Sequence, residues 1–104
     1  KFGGEFVLPS VTRDDPTYTD NIYWRGRIWA PLNFWVWQGL KRQGFIKESE
    51  QLAEQSWALF EKNWKQRLCG ENFNAETGEV LDQPDTDGFY SWGALLAAMK
   101  ALEN

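Results

Sequence analysis

One stretch of this chain is apolar on nearly every side of a helix. It opens at Pro31, a residue favoured in the first turn of a helix, and it is closed by Gly44, which suits a left-handed cap. The large apolar side chains between these two residues are Leu32, Phe34, Trp35, Val36, Trp37 and Leu40. A helix that is hydrophobic all round is covered by other elements on all sides. The pattern therefore predicts an inner helix from Pro31 to about Gln43.

Two further segments have helical periodicity. From about Lys47 to Leu68 apolar residues recur at three- and four-residue spacing between charged residues, which predicts a one-sided outer helix that ends at Gly70. From about Ser91 to Glu103 large apolar residues lie on one side with small residues around them, which predicts a second inner helix. The outer helix carries Ala53, Trp57, Phe60 and Trp64, and the second inner helix carries Trp92, Leu95, Leu96, Met99 and Leu102.

Long irregular segments separate the helices. The lead from Lys1 to Asn21 is broken by Gly and Pro, so we expect a loop, with a short extended piece at Phe6–Leu8, that lies over another surface. The loop from Asn72 to Gly88 is rich in Asn, Asp, Gly and Pro, and loops of that length are usually functional or disordered. Helices that alternate inner, outer, inner are typical of an α/α toroid, but three helices cannot close a ring. The predicted fold is all-α, a partial toroid of three helices with long loops.

Composition limits the possible functions. The 104 residues suit one domain, and their 7 Trp, 3 Tyr and 7 Phe carry more apolar area than so small a body usually buries. Some of these rings are therefore expected to face a ligand or missing protein. A net charge of −4 argues against nucleic acid as a partner. Because His is absent, acid–base chemistry in this chain would fall to carboxylates.

Nothing in the sequence predicts a cofactor or a metal. Asp85, Asp87 and Gly88 hint at a calcium loop, but Ala94 stands where a bidentate Glu would be needed. Cys69 is the single cysteine, so no internal disulfide forms and an inert thiol is expected. No apolar run is long enough to span a membrane. The chain starts at Lys1, which leaves a removed leader and a cut from a longer chain both open.

Three motifs carry a resemblance to a known family. The blocks "YWRGRIWAPLNFWVWQGL", "GENFNAETGEV" and "GFYSWGALLA", in that order, resemble the C-terminal part of the catalytic domain of glycoside hydrolase family 63, which includes processing α-glucosidase I and bacterial relatives. The lead "GGEFVLPSVTRDDPTY" fits the same region. The clan of (α/α)6-barrel glycosidases also holds trehalases and mannosylglycerate hydrolases. The resemblance implies that residues 1–104 form a C-terminal fragment of an (α/α)6-barrel catalytic domain.

The resemblance also implies a mechanism. Members are inverting glycosidases, in which one carboxylic acid protonates the leaving oxygen while a carboxylate activates water on the opposite face of the sugar. The general base of the family matches Glu71 in "GENFN". The general acid is an upstream Asp that Asp14, Asp15 and Asp20 do not match. The expected reaction is hydrolysis of α-glucosidic bonds in oligosaccharides.

The same resemblance predicts a sugar pocket around the stretch "YWRGRIW". Aromatic rings suit the apolar faces of a pyranose, a guanidinium donates to hydroxyl groups in a fixed fork, and glycine permits close approach of backbone. The predicted sugar-binding residues are Tyr23, Trp24, Arg25, Gly26, Trp29 and Trp92. Arg27 departs from a position that is commonly uncharged in relatives.

Each assignment has a structural alternative. Trp24 and Trp29 are also suited to a core, Glu71 to a solvated turn, and Arg25 to pairing with a carboxylate. At the level of function, the alternative is a non-catalytic helical module that binds a partner or a glycan through its aromatic residues. The partners expected for the glycosidase fragment are an oligosaccharide substrate and either the remainder of the barrel or a second copy of the chain.

Overall fold

The computed structural model describes residues 2–103 and is all-helical. Its three α-helices are α1 (Ala30–Arg42), α2 (Ile46–Trp64) and α3 (Leu95–Ala101), and 3-10 helices occur at Tyr18–Asp20 and Ser91–Ala94. Other pairing within residues 2–103 is limited to isolated β-bridges. The predicted fold class, three helices with long loops as part of a helical toroid, is confirmed. None of the helices within residues 2–103 combines the length and apolarity needed to cross a membrane.

Helix α1 follows the sequence signals closely. It begins at Ala30, with Trp29 as the N-cap and Pro31 in the first turn, where a missing N–H costs nothing. At its C-terminal end Gly44 has φ +83°, and its N–H donates to the Lys41 carbonyl at 3.1 Å. This positive φ confirms the left-handed glycine cap.

Helix α2 is shorter than its periodicity predicts. It ends at Trp64 rather than at Leu68, and the chain turns through Arg67, which takes φ +59°. The Leu68 N–H closes this turn on the Asn63 carbonyl at 3.1 Å. Gly70 is therefore not the cap. It is required for packing instead, because a Cβ at this position would lie 2.6 Å from Val80 Cγ2.

The third predicted helix is split. Residues Ser91–Ala94 form a 3-10 helix, and only Leu95–Ala101 is α-helical. The first part is docked on the segment before the long loop, since a Cβ at Gly93 would lie 2.6 Å from the Gly70 carbonyl oxygen. The single α-helix predicted for this part of the chain is thus wrong, because periodicity alone does not reveal this close backbone contact.

The three helices pack on one another, and the lead lies over them. α2 contacts both α1 and α3, and α1 also contacts α3. Leu59, Leu96 and Met99 are fully buried between them. The lead is held against α1 by the buried Asn33 side chain, which accepts from the Leu8 N–H and donates to the Leu8 carbonyl, both at 2.9 Å. This matches the expected segment laid over another surface.

One face of α1 remains uncovered by residues 2–103. Trp35 is 66% exposed and Val36 is 41% exposed. They border an apolar groove of about 460 Å³ whose other side is formed by Phe2 and Leu8. Within this chain, α1 is covered on one side only, although its sequence is that of a helix covered on every side.

Candidate active site

The stretch from Tyr23 to Trp29 starts in a tight turn, closed between Ile22 and Arg25, and then leads into α1. The N–H groups of Ile22 and Arg25 each donate to the other residue's carbonyl, and Tyr23 takes φ +47° inside this turn. Gly26 follows with φ +104°, and a Cβ there would collide with the Tyr18 carbonyl oxygen. Only glycine fits this position. The close approach that Gly26 permits is thus to the chain's own Tyr18 backbone.

Four aromatic side chains meet at the N-terminal end of α1. Trp24 and Trp29 stack in parallel with ring centroids 3.6 Å apart, Tyr23 meets Trp29 edge-on at 4.7 Å, and Trp92 meets Trp29 at 5.9 Å. We call this group the ring cluster: Tyr23, Trp24, Trp29 and Trp92. Trp29 is 1% exposed and anchors the group, whereas Trp24 is 46% exposed and faces outward.

Glu71 lies beside the ring cluster and is held at both carboxylate oxygens. The Tyr23 hydroxyl donates to Oε2 at 3.0 Å, and the Asp87 N–H donates to Oε1 at 3.1 Å. Its backbone is fixed as well, because the Glu71 N–H donates to the Asp87 carbonyl and the Trp92 indole donates to the Glu71 carbonyl, both at 3.0 Å. The side chain stays half-buried. The result is a carboxylate of fixed orientation that still reaches solvent.

The Tyr23 hydroxyl remains a donor at neutral pH. The hydrogen bond to the Glu71 carboxylate raises the pKa of Tyr23 above its ordinary value of 10.0, and desolvation of the ring adds to this. A neutral phenol keeps its proton for donation, so this hydrogen bond helps to fix the orientation of the Glu71 side chain.

The structure brings together five of the seven residues predicted for the site. Glu71, Tyr23, Trp24, Trp29 and Trp92 form one group.

The remaining two predicted residues have other contacts. Arg25 is exposed and forms an ion pair with Asp20 at 2.5 Å, and Gly26 is buried beneath Tyr18.

Sequence reasoning missed a buried polar group beneath this site. Arg27 is fully buried, and its guanidinium faces the Asp82 carboxylate with two nitrogen–oxygen distances of 3.0 Å. Burial opposes ionisation of Asp82, but hydrogen bonds from Arg27, Asn74 and Asn21 outweigh it and lower the pKa of this carboxyl. The unusual charge at Arg27 was the one signal in the sequence that pointed here.

The hinted calcium loop has a different arrangement. The Asp87 carboxylate accepts the Phe89 N–H at 2.9 Å, and the Asp87 backbone pairs with Glu71. Among residues 2–103, no three His, Cys, Asp or Glu side chains cluster closely enough to hold a metal ion. Cys69 is buried, and burial raises the pKa of its thiol, as expected for an unreactive cysteine.

Comparison with known proteins gives consistent matches. Residues 1–93 match the family model described as "Mannosylglycerate hydrolase MGH1-like glycoside hydrolase domain". The chain is 29% identical over 92 residues to a mannosylglycerate hydrolase of Thermus thermophilus, covering 88% of this chain and 20% of that protein. It is 35% identical over 54 residues to mannosylglycerate hydrolase MGH1 of Selaginella moellendorffii, covering 52% of this chain and 11% of that protein.

A solved structure matches as well. The crystal structure of an uncharacterized conserved protein from a second strain of Thermus thermophilus superposes with a TM-score of 0.74 at 28% identity, over 92% of this chain and 23% of that one. The chain thus spans about a fifth of the length of these Thermus proteins. The resemblance to glycoside hydrolase family 63 is confirmed, since the family model covers most of the chain. The chain belongs to the MGH1-like glycoside hydrolase family of the mannosylglycerate hydrolases.

Proposed function

We propose that this chain supplies the general base and part of the sugar pocket of an inverting glycoside hydrolase. The observation that carries the proposal is the Glu71 carboxylate, which is half-buried, held at both oxygens and bordered by the ring cluster. A general base needs a fixed, ionised group within reach of a water molecule. Glu71 meets the geometric part of that requirement.

The proposed step moves one proton toward Glu71. A water molecule beside the carboxylate forms a bond from its oxygen to the anomeric carbon while its proton passes to Glu71. The bond from the anomeric carbon to the leaving oxygen breaks at the same time, and that oxygen takes a proton from the acid. In inverting enzymes the two carboxyl groups stand about 6.5–9.5 Å apart so that the water fits. The acid belongs to a part of the enzyme outside this chain.

The ring cluster gives the sugar a place to lie. Trp24 presents a half-exposed ring that is stacked on the buried Trp29 and therefore cannot turn freely. A rigid, exposed ring face suits the apolar C–H face of a pyranose. Trp92 forms part of the wall, and we propose that Arg25, whose side chain is 62% exposed, donates to substrate at the rim.

The proposed substrate is that of the named relatives rather than the α-glucosidic bond expected from the sequence. The Thermus thermophilus and Selaginella moellendorffii proteins are named mannosylglycerate hydrolases, whereas the sequence motifs suggested α-glucosidic bonds. We propose mannosylglycerate as the substrate and an α-linked glucoside as the second candidate. Glycerate carries a carboxylate, so an exposed guanidinium such as that of Arg25 suits it and offers less to a neutral oligosaccharide.

The reaction class is tested with the complete enzyme that contains this chain. Purified enzyme is incubated separately with mannosylglycerate and with an α-linked glucoside, and early NMR spectra identify the first anomer released. We expect hydrolysis of mannosylglycerate with release of the anomer opposite to that of the substrate bond. Release of the same anomer contradicts the inverting mechanism, and exclusive turnover of the glucoside contradicts the substrate assignment.

We also propose that residues 1–104 are the C-terminal part of an (α/α)6 barrel whose remainder covers α1. The exposed Trp35 and Val36 and the adjoining groove support this proposal. Without the remainder, the chain is expected to self-associate and to show no hydrolysis, because it lacks the acid. Sedimentation and an assay of the isolated chain test this, and a stable monomer that turns over substrate contradicts it.

A further inference from the structure

Arg27 is a buried cation whose hydrogen bonds are unusually numerous. None of its surface is exposed. The guanidinium donates to both Asp82 carboxylate oxygens. It also donates to Asn72 Oδ1 at 2.5 Å and to Asn21 Oδ1 at 2.9 Å. Two backbone carbonyls, those of Glu79 and Val80, accept from it at 3.2 and 3.3 Å. A buried ion pair is weak evidence for stability, since desolvation offsets much of the attraction. Hydrogen bonds are directional, however, and together these bonds fix the orientation of the Arg27 guanidinium.

These contacts reach the carboxylate of Glu71 by a short route. Asn72 directly follows Glu71, and its Oδ1 accepts both from Arg27 and from the Thr86 hydroxyl, the latter at 2.9 Å. Thr86 directly precedes Asp87, whose N–H donates to Glu71 Oε1 and whose carbonyl accepts from the Glu71 N–H. Arg27 and Thr86 thus both donate to Asn72 Oδ1. This oxygen links the segment Glu71–Asn72 to the segment Thr86–Asp87, whose Asp87 N–H orients the carboxylate.

We propose that Arg27 is a positioning residue for Glu71, acting through Asn72 and Thr86. The inference rests on the proposed function of Glu71 as the general base. Arg27 fixes Asn72 from one side and Thr86 fixes it from the other. This arrangement sets the distance between Glu71 and the Asp87 N–H that orients its carboxylate. Misplacement of a reacting group by about 1 Å can lower a rate by about 10²-fold.

A purely structural role would give a different pattern of effects, and the chain offers a matched control. Asn63 is also buried and also holds the long loop, because its amide donates to the Gly78 carbonyl at 2.9 Å and to the Leu59 carbonyl at 3.1 Å. Neither of these carbonyls belongs to Glu71, Asn72, Thr86 or Asp87. We therefore expect loss of Asn63 to weaken the loop while the hydrogen bonds on the Glu71 carboxylate stay in place.

The experiment compares variants of the complete enzyme with mannosylglycerate and an α-linked glucoside as substrates. Thr86→Val removes one of the two hydrogen bonds to Asn72 with little change of shape, and Thr86→Ser restores the hydroxyl. Arg27→Lys keeps the charge but loses the planar fork. Asn63→Ala is the control for stability, and Glu71→Gln tests the base itself. Each variant is measured for kcat, KM and unfolding temperature.

We expect Thr86→Val and Arg27→Lys to lower kcat by about 10-fold to 10²-fold with KM changed by less than about twofold. Thr86→Ser should keep kcat near that of the unchanged enzyme, and Asn63→Ala should lower the unfolding temperature without this loss of kcat. If Arg27→Lys does not fold, Thr86→Val and Thr86→Ser decide the matter. A kcat loss in Thr86→Val no larger than that in Asn63→Ala overturns the inference while leaving the base assignment intact. Full activity in Glu71→Gln overturns the proposed function itself, and the inference with it.

Discussion

Two groups of four aromatic rings within residues 2–103 differ in the side chains that they contact. The ring cluster meets Glu71 through the Tyr23 hydroxyl and the Trp92 indole. The second group, which we call the α2 row, runs along the outer helix with ring centroids 5.8–6.4 Å apart and consists of Trp57, Phe60, Trp64 and Phe89. Cations lie over two of its rings: Lys100 over Trp57 and Arg67 over Trp64, each at 5.6 Å.

The difference shows what distinguishes a site from a packed surface. Both groups expose apolar rings, since Trp24 is 46% exposed and Trp64 is 40% exposed. The α2 row is built of rings three or four residues apart on one helix, together with Phe89 from the loop end, so its order follows from helical periodicity. The ring cluster needs a left-handed Tyr23, a glycine at Gly26 and an anchored Trp29. Chemistry is thus expected where the backbone is unusual and a carboxylate is held, rather than wherever apolar rings are exposed.

The largest effect is expected for Trp29, which anchors the ring cluster. Trp29→Ala removes a buried ring that stacks on Trp24 and donates to the Tyr23 carbonyl at 2.9 Å. It should destabilise the fold by about 3–5 kcal/mol, as is usual for loss of a buried Trp. Urea unfolding of the complete enzyme measures this change in free energy of unfolding. A loss below about 1 kcal/mol would show that the ring cluster is not anchored through Trp29.

A smaller effect, on binding, should separate the two aromatic groups. Trp24→Ala should raise KM by about tenfold, equivalent to about 1.4 kcal/mol of lost sugar contact. Trp64→Ala is the matched control in the α2 row, similar in exposure and also stacked on a neighbouring ring. It should leave KM unchanged. If both substitutions raise KM equally, the distinction between the two groups fails.

A third prediction concerns acid stability and the buried group around Arg27. The pKa of Asp82 is lowered from its ordinary value of 3.8 in the folded state, so its contribution to stability is present above that pH and disappears as the pH falls through the folded value. Unfolding temperature is measured from about pH 6 to about pH 2 for the unchanged protein and for Asp82→Asn. The variant should be less stable at the upper end and should lose less stability on acidification. Parallel curves would mean that Asp82 is not stabilised by its contacts with Arg27.

The sequence predicted most of the helices because their signals are local. Pro31, Gly44 and the three- and four-residue spacing in α2 act within a few positions, and the structure follows them closely. Prediction failed in two places. α2 ends at Trp64 because the chain turns through a left-handed Arg67, a conformation that its sequence does not mark. The third helix starts as a 3-10 turn where Gly93 is pressed against the distant Gly70.

In the candidate site, too, residues in local motifs were predicted and a group formed by distant contacts was not. Glu71 and the rings were selected by motif, and the structure brings Glu71 beside Tyr23 and Trp92, 48 and 21 positions away in sequence. The group around Arg27 escaped prediction because its partners lie 45 and 55 positions away, on a loop without periodicity. A lone buried arginine leaves no local pattern, and only the folded chain shows which carboxylate neutralises it.

The measurement that tests the central claim most directly is the kcat of Glu71→Gln in the complete enzyme. Gln keeps the size of the side chain but cannot accept the proton from water, so kcat should fall by about 10²–10⁴-fold while KM changes little. Glu79→Gln, which changes an exposed carboxylate in the same loop, is the control and should retain full kcat. A loss of less than about threefold in Glu71→Gln, or an equal loss in both variants, would contradict the assignment of Glu71 as the general base.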